Sequence, residues 1–278
     1  MQLKTLTIIC DGYFFLLKGE SMLKIRRFLE YRKCASCGRE FLAYEVEKIN
    51  KKDCICKVCK QAHGYTTRNY NFQGKETQIS FSFEFETSSK AKELYELTKY
   101  NFIGCTDGSI AGLEWKSPIF YNRRTFHNIC RKINKFSQYV GNSCGTHLHV
   151  STPYKRKMDE YKRELFAPIL EVMIGDRNST QKFWGRYFGS YCLAEITERR
   201  YNTFNTKSSV ETLEFRLLKF INAEQYIKAC DFCIDTTRFI NRYIGSSDFN
   251  REKASQIGNI IAKKYKEVIK NVQNCTNE

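Results

Sequence analysis

The sequence is 278 residues long, and its 42% hydrophobic and 14% aromatic residues are enough to bury a core and too many for a disordered chain. Its 46 Lys and Arg residues exceed its 30 Asp and Glu residues by 16, which favours an anionic partner such as nucleic acid, nucleotide or an acidic substrate. The 13 cysteines are an odd number in a long chain that has no stretch apolar enough to span a membrane. We therefore expect a cytoplasmic protein rather than a secreted disulfide scaffold or a membrane protein.

The basic charge is concentrated near the N-terminus. Residues 24–75 contain 13 Lys and Arg residues against 5 Asp and Glu residues, which is half of the excess of the whole chain. Residues 1–30 mix basic and apolar side chains in no pattern that predicts a role, and we expect them to form a segment of their own.

A pair of cysteine knuckles follows this segment. Cys34 and Cys37 form one CxxC pair, Cys56 and Cys59 form a second, and 18 residues separate the two pairs. This spacing predicts a zinc ribbon over residues 31–75 with structural zinc on four thiolates, and Cys54 is an alternative ligand. Zinc ribbons bind nucleic acid or dock proteins, so the motif alone does not choose between these partners.

Strand and helix patterns alternate from about residue 76 onward. The stretch ISFSFEFET at 79–87 alternates apolar and polar residues and predicts a strand. The next element is a short helix capped by Ser88 and Ser89 and ending near 100. Further strands are predicted near 113–116, at 146–151 and within 210–220. Further helices are predicted over 122–140, 157–174, 223–243 and 251–272. Residues 76–278 therefore predict one α+β domain with helices on one face of a sheet.

Four of these strands carry charged or metal-binding groups on the face opposite their apolar residues. These groups are Glu84 and Glu86, Glu114, His147 and His149, and Glu214 and Arg216. A solvated sheet face would explain any one of the strands. Carboxylates and imidazole together suit Mg²⁺ or Mn²⁺, and an arginine beside a ligand neutralises a transferring phosphoryl group. The four strands together predict metal-assisted phosphoryl transfer from a nucleotide.

The motifs FEFE, DGSI with GLEWKSP, GTHLHV, and RYNTFN with ETLEFRLL resemble, in this order, the motifs of the phage and bacterial amidoligases. That family belongs to the carboxylate–amine ligase superfamily with glutamine synthetase and the glutamate–cysteine ligases, and the resemblance covers about residues 78–220. It implies a glutamine-synthetase-like antiparallel catalytic sheet with helices packed on one face, here preceded by a zinc ribbon. It also implies ATP-dependent amide or isopeptide formation through an acyl phosphate, in the host cytoplasm if a phage encodes the chain.

The resemblance also implies roles for particular residues. The metal ligands would be Glu84, Glu86, Glu114, His147 and Glu214. The nucleotide would be contacted by His149, and the transferring phosphate by Arg216 and, more weakly, by Arg200 or its neighbour Arg199. Asp107 would contact substrate or metal. The cofactors would be ATP with Mg²⁺ or Mn²⁺, and because no second carboxylate follows Glu114 at the family spacing, we expect two metal ions rather than three.

Two other functions remain open at this point. A metal-dependent hydrolase would explain the HxH motif and the carboxylates, but it would leave the strand with Glu214 and Arg216 unexplained. A non-enzymatic zinc-ribbon protein that binds nucleic acid would explain only the basic N-terminal region. The sequence does not name the carboxylate and amine substrates of a ligase, which could be small molecules, peptides or proteins. The aromatic residues of 183–191 would line an amine pocket or, as we expect, belong to the core.

Overall fold

The structure is a computed structural model. It describes residues 79–105, 110–199, 201–208 and 210–274, together with six short N-terminal strands. For these strands and for residues 272–274, only the backbone is described. The chain divides into two compact units, Met1–Thr66 and Thr67–Glu278.

The first unit contains three pairs of antiparallel strands. Its strands are β1 (Leu6–Cys10) paired with β2 (Tyr13–Leu17), β3 (Tyr31–Lys33) with β4 (Glu40–Leu42), and β5 (Val46–Lys48) with β6 (Cys54–Cys56). Cys34, Cys37 and Cys59 lie outside the described residues, as does the side chain of Cys56. The zinc ribbon therefore stays a prediction.

The second unit contains a six-stranded sheet in which all neighbours are antiparallel. Its strands are β7 (Phe81–Glu86), β8 (Ile103–Cys105), β9 (Glu114–Lys116), β10 (Thr146–Ser151), β11 (Phe204–Asn205) and β12 (Thr212–Phe215). They lie in the order β11-β12-β10-β7-β9-β8. Together with the helices, this sheet confirms the predicted α+β class.

The helices follow the sequence prediction with three corrections, and one further helix, Arg177–Trp184, was not predicted. They are α1 (Arg123–Ile133), α2 (Lys155–Glu160), α3 (Lys162–Gly175), α4 (Arg177–Trp184), α5 (Ala223–Ile244) and α6 (Arg251–Asn274), with 3₁₀ helices at Lys92–Tyr100 and Asn134–Tyr139. The predicted helix 157–174 is two helices that meet at Tyr161, and the predicted helix 122–140 tightens to 3₁₀ geometry after residue 133. Neither Ser88 nor Ser89 caps the first helix, because that helix begins at Lys92 after Ala91 and has no side-chain cap. The Ser88 hydroxyl instead donates to the Tyr139 carbonyl at 3.0 Å. None of the helices among the described residues is long and apolar enough to cross a membrane.

The apolar face of the sheet forms the core. The Phe83 ring lies edge-on to Phe126 of α1 at 5.8 Å and to Tyr226 of α5 at 5.5 Å. Because side chains alternate along a strand, this packing directs the polar residues of the same strands to the opposite face. Phe183 and Trp184 are buried core residues as expected, whereas Tyr191 is exposed.

Candidate metal centre

Strand register brings the predicted site residues together. His147 of β10 lies directly opposite Glu84 of β7, and His149 lies directly opposite Glu214 of β12. Directly opposed residues of an antiparallel pair hold their side chains on one face about 5 Å apart. Three neighbouring strands therefore direct two carboxylates and two imidazoles into one cluster on the polar face.

The centre of this cluster is the group Glu84, His147 and Glu214, which we call the ligand trio. Each member offers one ligand atom, and these atoms lie within 4.8 Å of one another. His147 Nδ1 is 3.5 Å from Glu84 Oε2 and 3.4 Å from Glu214 Oε1. The side chains of the trio are 13%, 5% and 5% exposed, so the cluster is nearly closed to water. This arrangement can hold one metal ion.

The two remaining predicted carboxylate ligands lie beside the trio. Glu86 Oε1 is 3.6 Å from His147 Nε2, on the far side of the imidazole ring, and Glu86 Oε2 accepts a hydrogen bond from the Gly145 N–H. Glu114 Oε1 lies instead 3.2 Å from the Lys116 ammonium. The five predicted ligands thus divide into three that converge and two that have other partners.

Lys116 was not singled out in the sequence because lysine on a polar strand face usually contacts solvent. Its side chain is only 11% exposed, and its Nζ is also 3.3 Å from Glu84 Oε1. The signal that could have identified it is its position two residues after Glu114, which places both side chains on one face of β9.

His149 lies beside the trio with one free nitrogen. Its Nδ1 is 3.1 Å from Thr212 Oγ1, and its Nε2 lies 3.6 Å from Glu84 Oε1 without a hydrogen-bond partner among the residues that the structure describes. Burial lowers the pKa of His149, but the negative charges of Glu84 and Glu214 outweigh this effect and raise the pKa above its ordinary value. An Nε2 that carries a proton can donate a hydrogen bond to a bound anion.

Glu214 is fixed in place by two donors. Asn205 Nδ2 donates to one carboxylate oxygen and Arg216 Nη1 donates to the other. Arg216 is itself held, because its Nε donates to the Tyr191 carbonyl at 3.1 Å and its guanidinium lies 5.6 Å from the centre of the Tyr201 ring. Asn205 falls within the RYNTFN motif, but nothing in the sequence showed that its amide would reach Glu214.

The carboxylates of the cluster differ in their ionisation. Burial opposes the ionisation of Glu84 and Glu214, but His149 and the other neighbouring cationic groups hold both pKa values below the ordinary range. Burial and the charge of Glu84 instead raise the pKa of Glu114 to about 8, although Lys116 acts in the opposite direction. The ionised form is therefore favoured at Glu84 and Glu214, whereas Glu114 carries a proton more readily.

One predicted residue in the described part of the chain, Arg199, is not brought to this cluster. Asp107 and Arg200 lie outside the described residues. Arg199 is exposed, and its ion pair is with Glu195 at 3.9 Å. The roles given to these three residues therefore stay predictions.

Arg186 is a neighbour that the sequence did not point to. Its guanidinium lies against Gly145, so closely that a Cβ on that glycine would meet Nη1 and Nη2 at 2.8 Å. Its Nη2 donates to the Arg216 carbonyl. The Arg186 guanidinium thus lies close to Gly145 and beside the backbone of Arg216, which directly follows β12.

A scan against protein-family models finds no match for the sequence, and a search of curated proteins finds none. The function of the protein is therefore inferred from the geometry and chemistry of the cluster.

Proposed function

We propose that the protein is an ATP-dependent carboxylate–amine ligase that forms an amide or isopeptide bond through an acyl phosphate. The observation that carries the proposal is the ligand trio on three adjacent antiparallel strands, with Arg216 bound to one of its carboxylates. Two carboxylates and an imidazole suit Mg²⁺ or Mn²⁺, and His149 Nε2, which makes no hydrogen bond to the described residues, can donate to an anionic ligand. The six-stranded antiparallel sheet, with helices on its apolar face, supports a glutamine-synthetase-like catalytic domain.

Each group of the cluster has a task in this reaction. A divalent ion would be held by Glu84, His147 and Glu214, and it would supply positive charge that neutralises the phosphates of ATP. Three contacts hold the Arg216 guanidinium in place. It can therefore contact the transferred phosphoryl group without losing further conformational freedom. His149 donates from Nε2 to a phosphate oxygen on the same face. Because the cluster is nearly closed to water, these charges act strongly and hydrolysis of an acyl phosphate is disfavoured.

The partners of this reaction follow from its chemistry. A carboxylate substrate takes the γ-phosphoryl group of ATP, and an amine then displaces phosphate to give the amide. We further propose that the basic zinc ribbon of residues 31–75 docks a nucleic acid or protein on which the ligase acts, in the cytoplasm. The carboxylate and amine are assigned here only as chemical classes.

Trapping of the acyl phosphate tests the reaction. Hydroxylamine attacks acyl phosphates, so incubation with ATP, Mg²⁺, hydroxylamine and a panel of carboxylates should give a hydroxamate and release ADP. Glu214→Gln should lose this activity, because it removes a metal ligand and the partner of Arg216. Glu267→Gln, a matched change on the exposed face of α6, should keep it. Consumption of ATP without hydroxamate from any carboxylate would contradict the proposal.

A metal-dependent hydrolase is the second candidate, because the ligand trio alone also suits a metal ion that activates water. A hydrolase should bind Zn²⁺ or Mn²⁺ tightly without nucleotide and act on its substrate without ATP. The same trapping reaction separates the two functions, since only the ligase needs ATP to form its product.

A further inference from the structure

The ammonium group of Lys116 lies between two buried carboxylates. Its Nζ is 3.3 Å from Glu84 Oε1 on the neighbouring strand and 3.2 Å from Glu114 Oε1 on its own strand. Lys116 is the direct cross-strand partner of Glu84, so the backbone register itself sets this position. The three side chains are 11%, 13% and 12% exposed, which leaves little water to separate the charges.

A cation at this position reduces the repulsion between Glu84 and Glu114. The polar face of the sheet carries four carboxylates in the described residues, namely Glu84, Glu86, Glu114 and Glu214. An ion bound by the ligand trio would neutralise Glu84 and Glu214, and Arg216 adds to that side. Glu114 lies outside the trio, and Lys116 is the cation within ion-pair distance of it. A second metal ion shared by Glu84 and Glu114 would have to occupy the space that the ammonium fills.

We propose that Lys116 is a built-in cation that replaces a second divalent ion, so that the centre holds a single metal ion at Glu84, His147 and Glu214. This inference rests on the proposed metal centre and narrows it from two ions to one. A fixed ammonium has a further consequence, because it stays beside Glu84 and Glu114 at any concentration of free metal.

Counting bound Mn²⁺ tests the inference without any substrate. The full chain is dialysed against Mn²⁺ and the bound ion is measured by electron paramagnetic resonance, which does not detect structural zinc. We expect one Mn²⁺ per chain in the wild type and in Lys116→Arg, which keeps the charge. Lys116→Gln removes the charge at nearly the same size and should bind a second Mn²⁺, whose coupling to the first broadens the spectrum.

Other counts of bound Mn²⁺ distinguish a failure of the inference about Lys116 from a failure of the proposed metal centre. Two or more ions in the wild type would overturn the inference about Lys116 and leave the proposed ligase intact. One ion in both the wild type and Lys116→Gln would also overturn it, because the vacated space would then not be a metal position. No ion in the wild type but one in Lys116→Gln would support Lys116 as the resident cation and refute the trio as a metal site. No ion in either protein would overturn both. The wild-type count decides between one and two ions even if the variant fails to fold.

Discussion

Glu114 and Glu84 share the ammonium of Lys116, yet their pKa values move in opposite directions. Glu84 also faces His147 and His149, and these contacts outweigh the cost of its burial. Among the residues that the structure describes, Lys116 is the cationic partner within ion-pair distance of Glu114, and the nearby charge of Glu84 raises its pKa further. The chemical role of a carboxylate in this sheet therefore depends on which strands flank it.

The raised pKa of Glu114 makes a prediction about stability and pH. Its folded-state pKa of about 8 exceeds the ordinary value of 4.5, so the folded protein binds this proton more tightly than the unfolded chain. The free energy of unfolding should therefore fall as pH rises from about 5 to about 8. In the metal-free protein, Glu114→Gln should reduce this loss by at least about 1 kcal/mol.

Urea unfolding of the metal-free wild type and variant near pH 5 and pH 8 measures this difference. Glu267→Gln serves as the control, because its carboxylate lies on the exposed face of α6. An equal loss of stability with pH in the wild type and Glu114→Gln would show that Glu114 is not the responsible group.

At the scale of elements, α3 and α6 pack closely around a proline. Pro168 lies inside α3 and has no N–H to donate to the carbonyl of Glu164, four residues earlier. That carbonyl lies against Gly258 of α6, where a Cβ would come within 2.2 Å of the oxygen. The glycine thus permits the two helices to approach at the point where the proline has freed a backbone acceptor.

Gly258→Ala should therefore destabilise the protein even though alanine is the better helix former. Alanine gains up to about 1 kcal/mol in helix propensity, but the clash with backbone forces the helices apart, which typically costs about 1–3 kcal/mol. Gly175→Ala is the matched control in α3, because a Cβ there meets nothing within 4 Å. Thermal unfolding should show a lower Tm for Gly258→Ala and an unchanged or higher Tm for Gly175→Ala. A Tm for Gly258→Ala at or above that of the wild type would contradict the close packing.

Elements with one apolar and one polar face could be predicted from the sequence. β7 and β10 alternate apolar and polar residues because one face packs on helices and the other holds the cluster, so both strands and the ligand trio could be found. The junction of α2 and α3 at Tyr161 could not, because no proline or glycine marks it. Lys116, Asn205 and Arg186 were missed for a related reason. Their importance comes from contacts across strands and loops, which local periodicity does not report.

At the scale of the whole molecule, the positive charge and the candidate metal centre are separate features. The chain carries a net charge of +16, whereas the described part of the polar sheet face holds four carboxylates together with the cations Lys116 and Arg216. Half of the positive excess falls in residues 24–75, which include the predicted ribbon. We therefore expect an anionic macromolecular partner to bind through the N-terminal region and the nucleotide to bind at the sheet.

The most direct test of the central claim is thermal unfolding with ATP in the presence and absence of Mg²⁺. ATP with Mg²⁺ at a hundred times its Kd should stabilise the wild type by about 2.7 kcal/mol, a rise of several degrees in Tm. ATP with a chelator should give no such rise, and neither should Glu214→Gln with ATP and Mg²⁺, while Glu267→Gln should respond like the wild type. Stabilisation that persists without Mg²⁺ or in Glu214→Gln would place the nucleotide elsewhere. No stabilisation of the wild type at saturating ATP and Mg²⁺ would contradict the ligase.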